Sequence, residues 1–233
     1  MKKFIAGLFF CLIIFSGCSH SKPSAETKID QTGGIYDYIS GETDSEIKKV
    51  ELISENGNKS EGQIEGTEFQ ASTPALINDQ EVNLKIDFTD GQEISKKIKL
   101  KKRHPIDNYE LFAEKMNPLI LVSNGNAKTQ FPTSHENGID VVALENGVST
   151  SVNIQDNQLI GLSVTDEGKD INKELPTILA CFQAEYNVTD KGVIDAYNNV
   201  LENKKKTSFT SGDYKFLFEY NDDKLFADIT KIH

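Results

Sequence analysis

The chain has 233 residues with a formal net charge of −11 at pH 7, and it contains three cysteines and no tryptophan. This length suggests one or two domains. The acidic balance argues against nucleic acid as a partner, because phosphate backbones are bound by basic surfaces, and it also disfavours direct adhesion to anionic lipid.

The N-terminus has the parts of a secretory signal. Lys2 and Lys3 make a positive start, and residues 4–15 (FIAGLFFCLIIF) are uninterrupted by charge. This apolar run is too short for a membrane-spanning helix, which needs about 20 residues, but it is typical of a signal peptide. Small residues follow at Ser16 and Gly17, so the sequence predicts that residues 1–17 are removed.

The segment Phe15-Ser16-Gly17-Cys18 resembles the lipobox of bacterial lipoproteins. The resemblance implies a diacylglyceryl group with palmitate-type chains on the Cys18 thiol, and cleavage between Gly17 and Cys18. Phe15 stands where the family usually has Leu. Two acyl chains give stable attachment, so the resemblance implies anchoring on the outer face of the cytoplasmic membrane. The alternative is plain secretion, with Cys18 a stray cysteine.

The lipid anchor has consequences for the rest of the chain. Residues 18–32 are predicted to be a flexible tether, because the start of this segment is small, polar and proline-containing. With Cys18 modified, Cys181 has no partner, so the domains must be stable without disulfides. Apolar neighbours favour a buried structural role for Cys181 over a catalytic one.

Residues 33–104 are predicted to form an all-β module. Val82–Phe88 alternates apolar and polar residues, Asp90-Gly91 is typical of a tight turn, and Ile94–Leu100 runs back as a second strand. Short strands separated by turn signals every 8–12 residues or so are typical of a β-sandwich. Shorter strands are expected at 35–39, 50–53, 63–64 and 69–71.

Two features of this module resemble bacterial immunoglobulin-like domains. They are the turn in Ser40-Gly41-Glu42-Thr43 and the closing hairpin around Asp90-Gly91. The Cys…Trp…Cys core of antibody domains is missing. The resemblance implies an Ig-like sandwich that serves as a spacer or ligand-presenting unit.

The most basic stretch of the chain lies at the end of this module. It is a candidate patch for an anionic partner, such as a phosphate-bearing wall polymer or an acidic protein. The alternative, favoured by alternation with apolar residues, is a strand whose lysines deter edge-to-edge pairing. The candidate residues are Lys96, Lys97, Lys99, Lys101, Lys102 and Arg103.

Residues 106–233 are predicted to form an α+β module, an antiparallel sheet with helices on one face. Asp107 or Asn108 can cap a first helix from Tyr109, which Pro118 is expected to end. Helical spacing of apolar residues predicts two more helices, at 172–186 and after residue 190. Strands are predicted at 139–144, 148–154, 159–164, 214–220 and 225–232.

The strand at 214–220 carries aromatic side chains on one face. We expect this face to be core, with a carbohydrate-stacking surface as the alternative.

Lys204–Lys206 are expected to complement a helix dipole. The ending of the chain is similar to small C-terminal domains of uncharacterised Gram-positive lipoproteins, a resemblance that implies no activity. High Lys, Asn, Ile and Glu contents also indicate an AT-rich, Gram-positive source.

Catalytic and metal-binding motifs are missing from the sequence. It has no G-x-S-x-G, H-E-x-x-H, C-x-x-C or P-loop, and its histidines are far apart, so no cofactor or metal is expected. The predicted function is a non-catalytic binding or adaptor lipoprotein with a protein or wall-polymer partner. One alternative is an immunity or superinfection-exclusion lipoprotein. Another is a wall-polymer enzyme, which would need a cleft gathering two carboxylates and His135.

Overall fold

The computed structural model describes residues 22–123, 130–145, 147–167, 174–221 and 223–233. The predicted signal peptide, with the cleavage residue Gly17 and the lipid site Cys18, lies outside these residues. No helix within the described ranges is long and apolar enough to cross a bilayer. Within these ranges the fold is mostly β, with several antiparallel sheets and three helices.

The first eight strands form two four-stranded antiparallel sheets. They are β1 (Ala25–Asp30), β2 (Tyr36–Thr43), β3 (Ile47–Ser54), β4 (Lys59–Glu61), β5 (Gln63–Glu65), β6 (Glu68–Pro74), β7 (Gln80–Phe88) and β8 (Glu93–Leu100). We name the sheet with order β1-β2-β6-β5 sheet A, and the sheet with order β4-β3-β7-β8 sheet B.

Sheets A and B share one apolar core. Alternate side chains along each strand point inward, so Ile39 and Phe69 of sheet A meet Leu52, Leu84 and Ile86 of sheet B. Full burial of such a side chain contributes roughly 1.5–3 kcal/mol. The arrangement is compatible with the predicted β-sandwich, while the Ig-like type stays a prediction.

The hairpin predicted from Asp90-Gly91 is confirmed. β7 and β8 pair from Gln80↔Leu100 to Asp87↔Glu93. Gly91 has φ +87°, a conformation that glycine adopts without steric cost. The Asp90 carboxylate accepts a hydrogen bond from the backbone N–H of Gln92 at 2.9 Å, which closes the turn.

The prediction of a tether up to residue 32 is wrong for its second half. Residues 25–30 form β1, which pairs with β2 from Ala25↔Thr43 to Asp30↔Tyr38. Ser24 is also held, since its hydroxyl donates to the Asp44 carboxylate at 2.9 Å. β1 lacks a clear apolar alternation because it is an edge strand, and the backbone of β2 supplies its pairing.

The remaining elements form a seven-stranded antiparallel sheet, sheet C, and three helices. Sheet C has the order β10-β11-β12-β15-β14-β13, with β9 paired to β12. The elements are β9 (Asp107–Asn108), α1 (Tyr109–Ser123), β10 (Gly138–Glu145), β11 (Val148–Gln155), β12 (Gln158–Asp166), α2 (Glu174–Glu185), α3 (Gly192–Asn203), β13 (Thr207–Ser211), β14 (Tyr214–Asn221) and β15 (Lys224–Lys231).

The helices pack on one face of sheet C, which we call the helix face. Phe182 of α2 lies edge-on to Phe216 of β14, with ring centroids 5.8 Å apart, and Tyr197 of α3 meets Phe218 at 5.9 Å. Phe216 and Phe218 are fully buried, which confirms that the aromatic side of β14 is core. The opposite face of sheet C is mostly polar, although it also carries the buried Leu217.

The prediction that Pro118 ends the first helix is wrong. The Asn108 side chain caps α1 by accepting the Leu111 N–H at 3.2 Å, but the helix continues to Ser123. Pro118 lies on the exposed side, so water can satisfy the Glu114 carbonyl that it leaves unpaired. Burial of Met116 and Ile120 on the opposite side holds the helix together.

Candidate functional site

The outer face of sheet A and the polar face of sheet C enclose a cleft of about 670 Å³. On the sheet C wall, Ser151, Ser163 and Asp228 stand directly opposite one another across β11, β12 and β15. These strands bury their apolar residues on the helix face, so alternation places their polar residues here. The polar character of this wall therefore follows from the burial of the alternate, apolar side chains of sheet C under the helices.

The sheet A wall is built in the same way. Lys28, Ser40, Gln70 and Gln63 form a cross-strand row over β1, β2, β6 and β5. Ile39 and its inward-facing neighbours fill the sandwich core, which turns the alternate polar positions toward the cleft.

Two glycines join the walls at the base of the cleft. A Cβ atom on Gly161 would lie 1.5 Å from the carbonyl oxygen of Gly34. The Asn153 side-chain amide donates to the carbonyl of Ala75 at 2.7 Å, and the Gln155 amide donates to the same carbonyl at 2.7 Å. These contacts fix the relative position of the two walls.

Asp228 is the most deeply placed ionisable group of the cleft. Its carboxylate accepts hydrogen bonds from the Ser163 hydroxyl and the Gly34 N–H, which link the two walls. Part of the side chain stays open to the cleft, but burial of the carboxyl raises its pKa above the ordinary value. Burial, followed by the charges of Asp228 and Glu219, raises the pKa of Tyr38 to about 12.

A charged bridge crosses the cleft. The Lys206 ammonium lies 3.6 Å from the Asp30 carboxylate on one wall and 3.3 Å from the Glu219 carboxylate on the other. Burial favours a higher pKa for Asp30, but hydrogen bonds from Thr32 and the positive charge of Lys206 outweigh it, and the pKa is lowered. Lys206, predicted to complement a helix dipole, thus lies beyond α3 and bridges the walls.

An aromatic side chain stands on the mostly polar wall of sheet C. Phe226 lies between Thr165 and Glu219 in the strand register and is half-buried in the cleft. It does not belong to the apolar cluster under the helices. Tyr36 and Tyr38 line the opposite wall and likewise lie outside the sandwich core.

A second groove of about 580 Å³ continues the cleft across sheet A. The two share Lys28, Ser40, Gln63 and Gln70. Beyond that row lies a row of four glutamates on neighbouring strands. Like charges directly opposite on adjacent strands are unfavourable by a few tenths of a kcal/mol or more. The glutamate row consists of Glu26, Glu42, Glu68 and Glu65.

The structure removes Arg103 from the predicted anionic-partner patch. The side chain is 8% exposed, and its Nε donates to the Asp37 carboxylate at 3.0 Å. Asp37 is fully buried, and its burial raises the pKa of the carboxyl despite the Arg103 charge. Arg103 followed a run of lysines in sequence, but its partner lies on β2, so the prediction of an exposed Arg103 is wrong.

The lysines of this patch are dispersed. Lys97 forms an ion pair with Glu81 at 2.7 Å, and the Lys96 ammonium donates to the Thr27 hydroxyl at 2.6 Å. Lys99, Lys101 and Lys102 are exposed. An anionic partner for these lysines stays a prediction.

The structure does not bring His135 into the cleft. Its Nε2 lies 3.3 Å from the Asp140 carboxylate, and its ring meets Tyr109 edge-on. Cys181 is buried at 2% exposure, with its sulfur 3.4 Å from the Ser123 hydroxyl. Within the described ranges, no three or more His, Cys, Asp or Glu side chains are grouped to hold a metal ion.

Sequence reasoning missed the cleft because its residues come from strands far apart in the chain. Comparisons of the chain with protein-family models, with curated proteins and with solved structures found no match.

Proposed function

We propose that the chain is a lipid-anchored lipoprotein on the outer face of the cytoplasmic membrane, and that it acts as a non-catalytic binding module. The observation that carries the proposal is the cleft between sheets A and C. Its volume falls in the range of roughly 300–1,000 Å³ that is usual for ligand sites, and its walls carry convergent polar side chains.

The lipobox residues support the membrane part of the proposal. Cys18 precedes Ser24 by a short segment, and Ser24 is held against Asp44 beside β1. At about 3.6 Å per residue, the span from a lipid-bearing Cys18 to Ala25 would keep the start of β1 within about 25 Å of the membrane. β1 contributes Lys28 and Asp30 to the cleft, so a ligand there would be held close to the membrane surface.

Cell fractionation tests the anchor. Wild-type protein is expected in the membrane fraction and labelled by palmitate, whereas Cys18→Ala is expected in the medium without label. Cys181→Ala is the matched control and should behave as wild type, because its thiol is buried in the core. Membrane retention of the Cys18→Ala protein would refute the lipid anchor.

Photo-cross-linking in living cells tests the cleft. A photoreactive residue at Gln70, exposed on the cleft wall, is expected to give an adduct. The same residue at Lys59, exposed on sheet B away from the cleft, is the control. Equal labelling at the two positions would contradict a ligand in the cleft.

A wall-polymer enzyme is the second candidate for the same cleft. The observation that favours it is a pair of carboxylates, Glu219 and Asp228, on neighbouring strands of one wall. Both already have partners, because Lys206 pairs with Glu219 while Ser163 and Gly34 bind Asp228. Release of wall fragments by the wild type, abolished in both Glu219→Gln and Asp228→Asn, would establish this alternative over a binding module.

A further inference from the structure

We infer that the ligand of the cleft is an uncharged glycan strand, a sugar polymer recognised through its hydroxyl and amide groups. The inference rests on the proposed function, because it takes the cleft as the binding site. It goes further in naming the chemical class that the walls fit.

Most charged groups of the cleft are already engaged within the protein. Lys206 lies between Asp30 and Glu219, and Asp228 accepts hydrogen bonds from Ser163 and Gly34. A ligand that relied on ion pairs would have to compete with these partners. Apart from the exposed Lys28 on the sheet A wall, the bonds that the cleft can offer without such competition come from uncharged side chains.

Six uncharged polar side chains on the walls form no hydrogen bond to any other residue in the part of the chain that the structure describes. Hydroxyl and amide groups both donate and accept, as do the hydroxyl and acetamido groups of sugars. The set comes from both walls, so a strand between them can be bound on two sides. It comprises Ser40, Gln63, Gln70, Ser151, Thr165 and Asn221.

Aromatic rings supply the second element of sugar recognition. Phe226 on one wall and Tyr36 and Tyr38 on the other are half-buried and lie outside both apolar cores. The C–H groups on a pyranose face pack against an aromatic ring, which presents a negative π surface to them. Phe226 stands beside Thr165 in the register, so one sugar could contact the ring and a hydroxyl together.

The construction of the walls argues against an extended peptide. Peptides commonly gain affinity by pairing their backbone with a free strand edge. The strands that carry the centre of the cleft, β2, β6, β12 and β15, are each paired on both sides. The free edges of sheet A, β1 and β5, lie at its two rims, so a ligand over the centre of the cleft meets side chains and not a backbone edge.

The charge of the walls argues against a phosphate polymer. Asp30, Glu219 and Asp228 outnumber the two lysines of the cleft, and the glutamate row in its continuation adds further negative charge. These carboxylates repel an anionic strand. The continuation into the second groove, through the shared row of Lys28 and its neighbours, gives room for a polymer longer than the cleft itself.

Calorimetric titration of the full-length lipidated protein in detergent tests the ligand class. The probes are a β-1,4-linked N-acetylglucosamine tetramer, poly(glycerol phosphate) and a lysine-rich peptide. The tetramer is expected to bind and the other two are not. Phe226→Ala and Gln70→Ala should each weaken tetramer binding by about tenfold, because each removes one ring or side-chain contact.

Val122→Ala is the matched control, since Val122 is 87% exposed on α1, and it should bind the tetramer as wild type does. Gln70 is an exposed residue, so Gln70→Ala keeps the test valid even where Phe226→Ala fails to fold.

Absence of tetramer binding, or equal affinity in all variants, would overturn the glycan class. If the tetramer does not bind but the photoreactive residue at Gln70 still gives an adduct in cells, the glycan class is wrong and the binding function stands. If neither tetramer binding nor the adduct is observed, both proposals are wrong. Preferential binding of poly(glycerol phosphate) or of the peptide would also overturn the inference.

Discussion

The backbone of Gly34 touches the backbone of Gly161 so closely that no side chain fits between them. A Cβ atom on Gly161 would lie 1.5 Å from the Gly34 carbonyl oxygen, and one on Gly34 would lie 2.4 Å from the Leu162 carbonyl oxygen. Contacts under 3.0 Å to backbone cannot be relieved by turning a side chain. The two walls of the cleft therefore approach each other backbone to backbone at this point.

Gly161→Ala is expected to destabilise the protein by about 3 kcal/mol, at the upper end for overpacking, because the new methyl group must push the two walls apart. The measurement is the free energy of unfolding in denaturant. Gly212→Ala is the control, since its Cβ would meet open space and only its positive φ of 56° opposes alanine. We expect that control to lose only about 1 kcal/mol, and a Gly161→Ala loss no larger would contradict the close packing.

Arg103→Met is expected to destabilise the protein by about 3–5 kcal/mol, because it leaves the buried Asp37 without its cation. Chemical denaturation measures the loss. The double variant Arg103→Met with Asp37→Leu should recover much of it, since an apolar pair needs no compensating charge. Lys97→Ala, which removes an exposed partner of Glu81, is expected to cost far less, because water screens that pair. Similar losses for Arg103→Met and Lys97→Ala would contradict the burial of the Arg103 pair.

Asp228→Asn is expected to change how stability depends on pH. Burial raises the pKa of Asp228 above 3.8, so the folded state holds this proton more tightly than the unfolded state. The wild type therefore has this stabilising contribution below about pH 4 and loses it as the pH rises through the folded pKa. The asparagine variant has no proton to lose at this position, so its stability does not fall for this reason. Unfolding free energies from about pH 3 to about pH 7 should show the variant gaining on the wild type as pH rises. A constant difference would contradict the raised pKa.

Pro118→Ala is expected to stabilise the protein by about 1 kcal/mol or more, because alanine restores a backbone donor inside α1. Thermal unfolding measures the change. Pro132→Ala, an exposed proline in the segment before β10, is the control and should give no such gain. An unchanged or lower melting temperature for Pro118→Ala would contradict the predicted cost of a proline inside α1.

Local features of the fold could be predicted from the sequence. The hairpin at Asp90-Gly91 follows from its turn residues, and the apolar stripes of α2 and α3 follow from their spacing. β1 was not predicted, because its pairing depends on the backbone of β2. β13 was not predicted either, because its sequence, TSFTS, has only one apolar residue.

The candidate site could not be predicted in the same way. The glutamate row spans four strands, and only the strand register places Glu26 beside Glu42 and Glu68 beside Glu65. Arg103 directly follows a run of lysines in sequence, although its partner Asp37 lies far back in the chain. Such long-range pairing depends on tertiary structure, which no local pattern of charge or hydropathy reports.

Cross-linking in cells, with the anchor present or removed, tests most directly whether this is a membrane-held protein with a ligand in its cleft. The photoreactive residue is placed at Gln70 or at Lys59, each in the wild-type and the Cys18→Ala background. We expect an adduct from Gln70 in the lipidated protein, and little from Lys59 or from the released Cys18→Ala chain. Equal adducts from Gln70 and Lys59, or a Gln70 adduct unaffected by Cys18→Ala, would contradict the proposal.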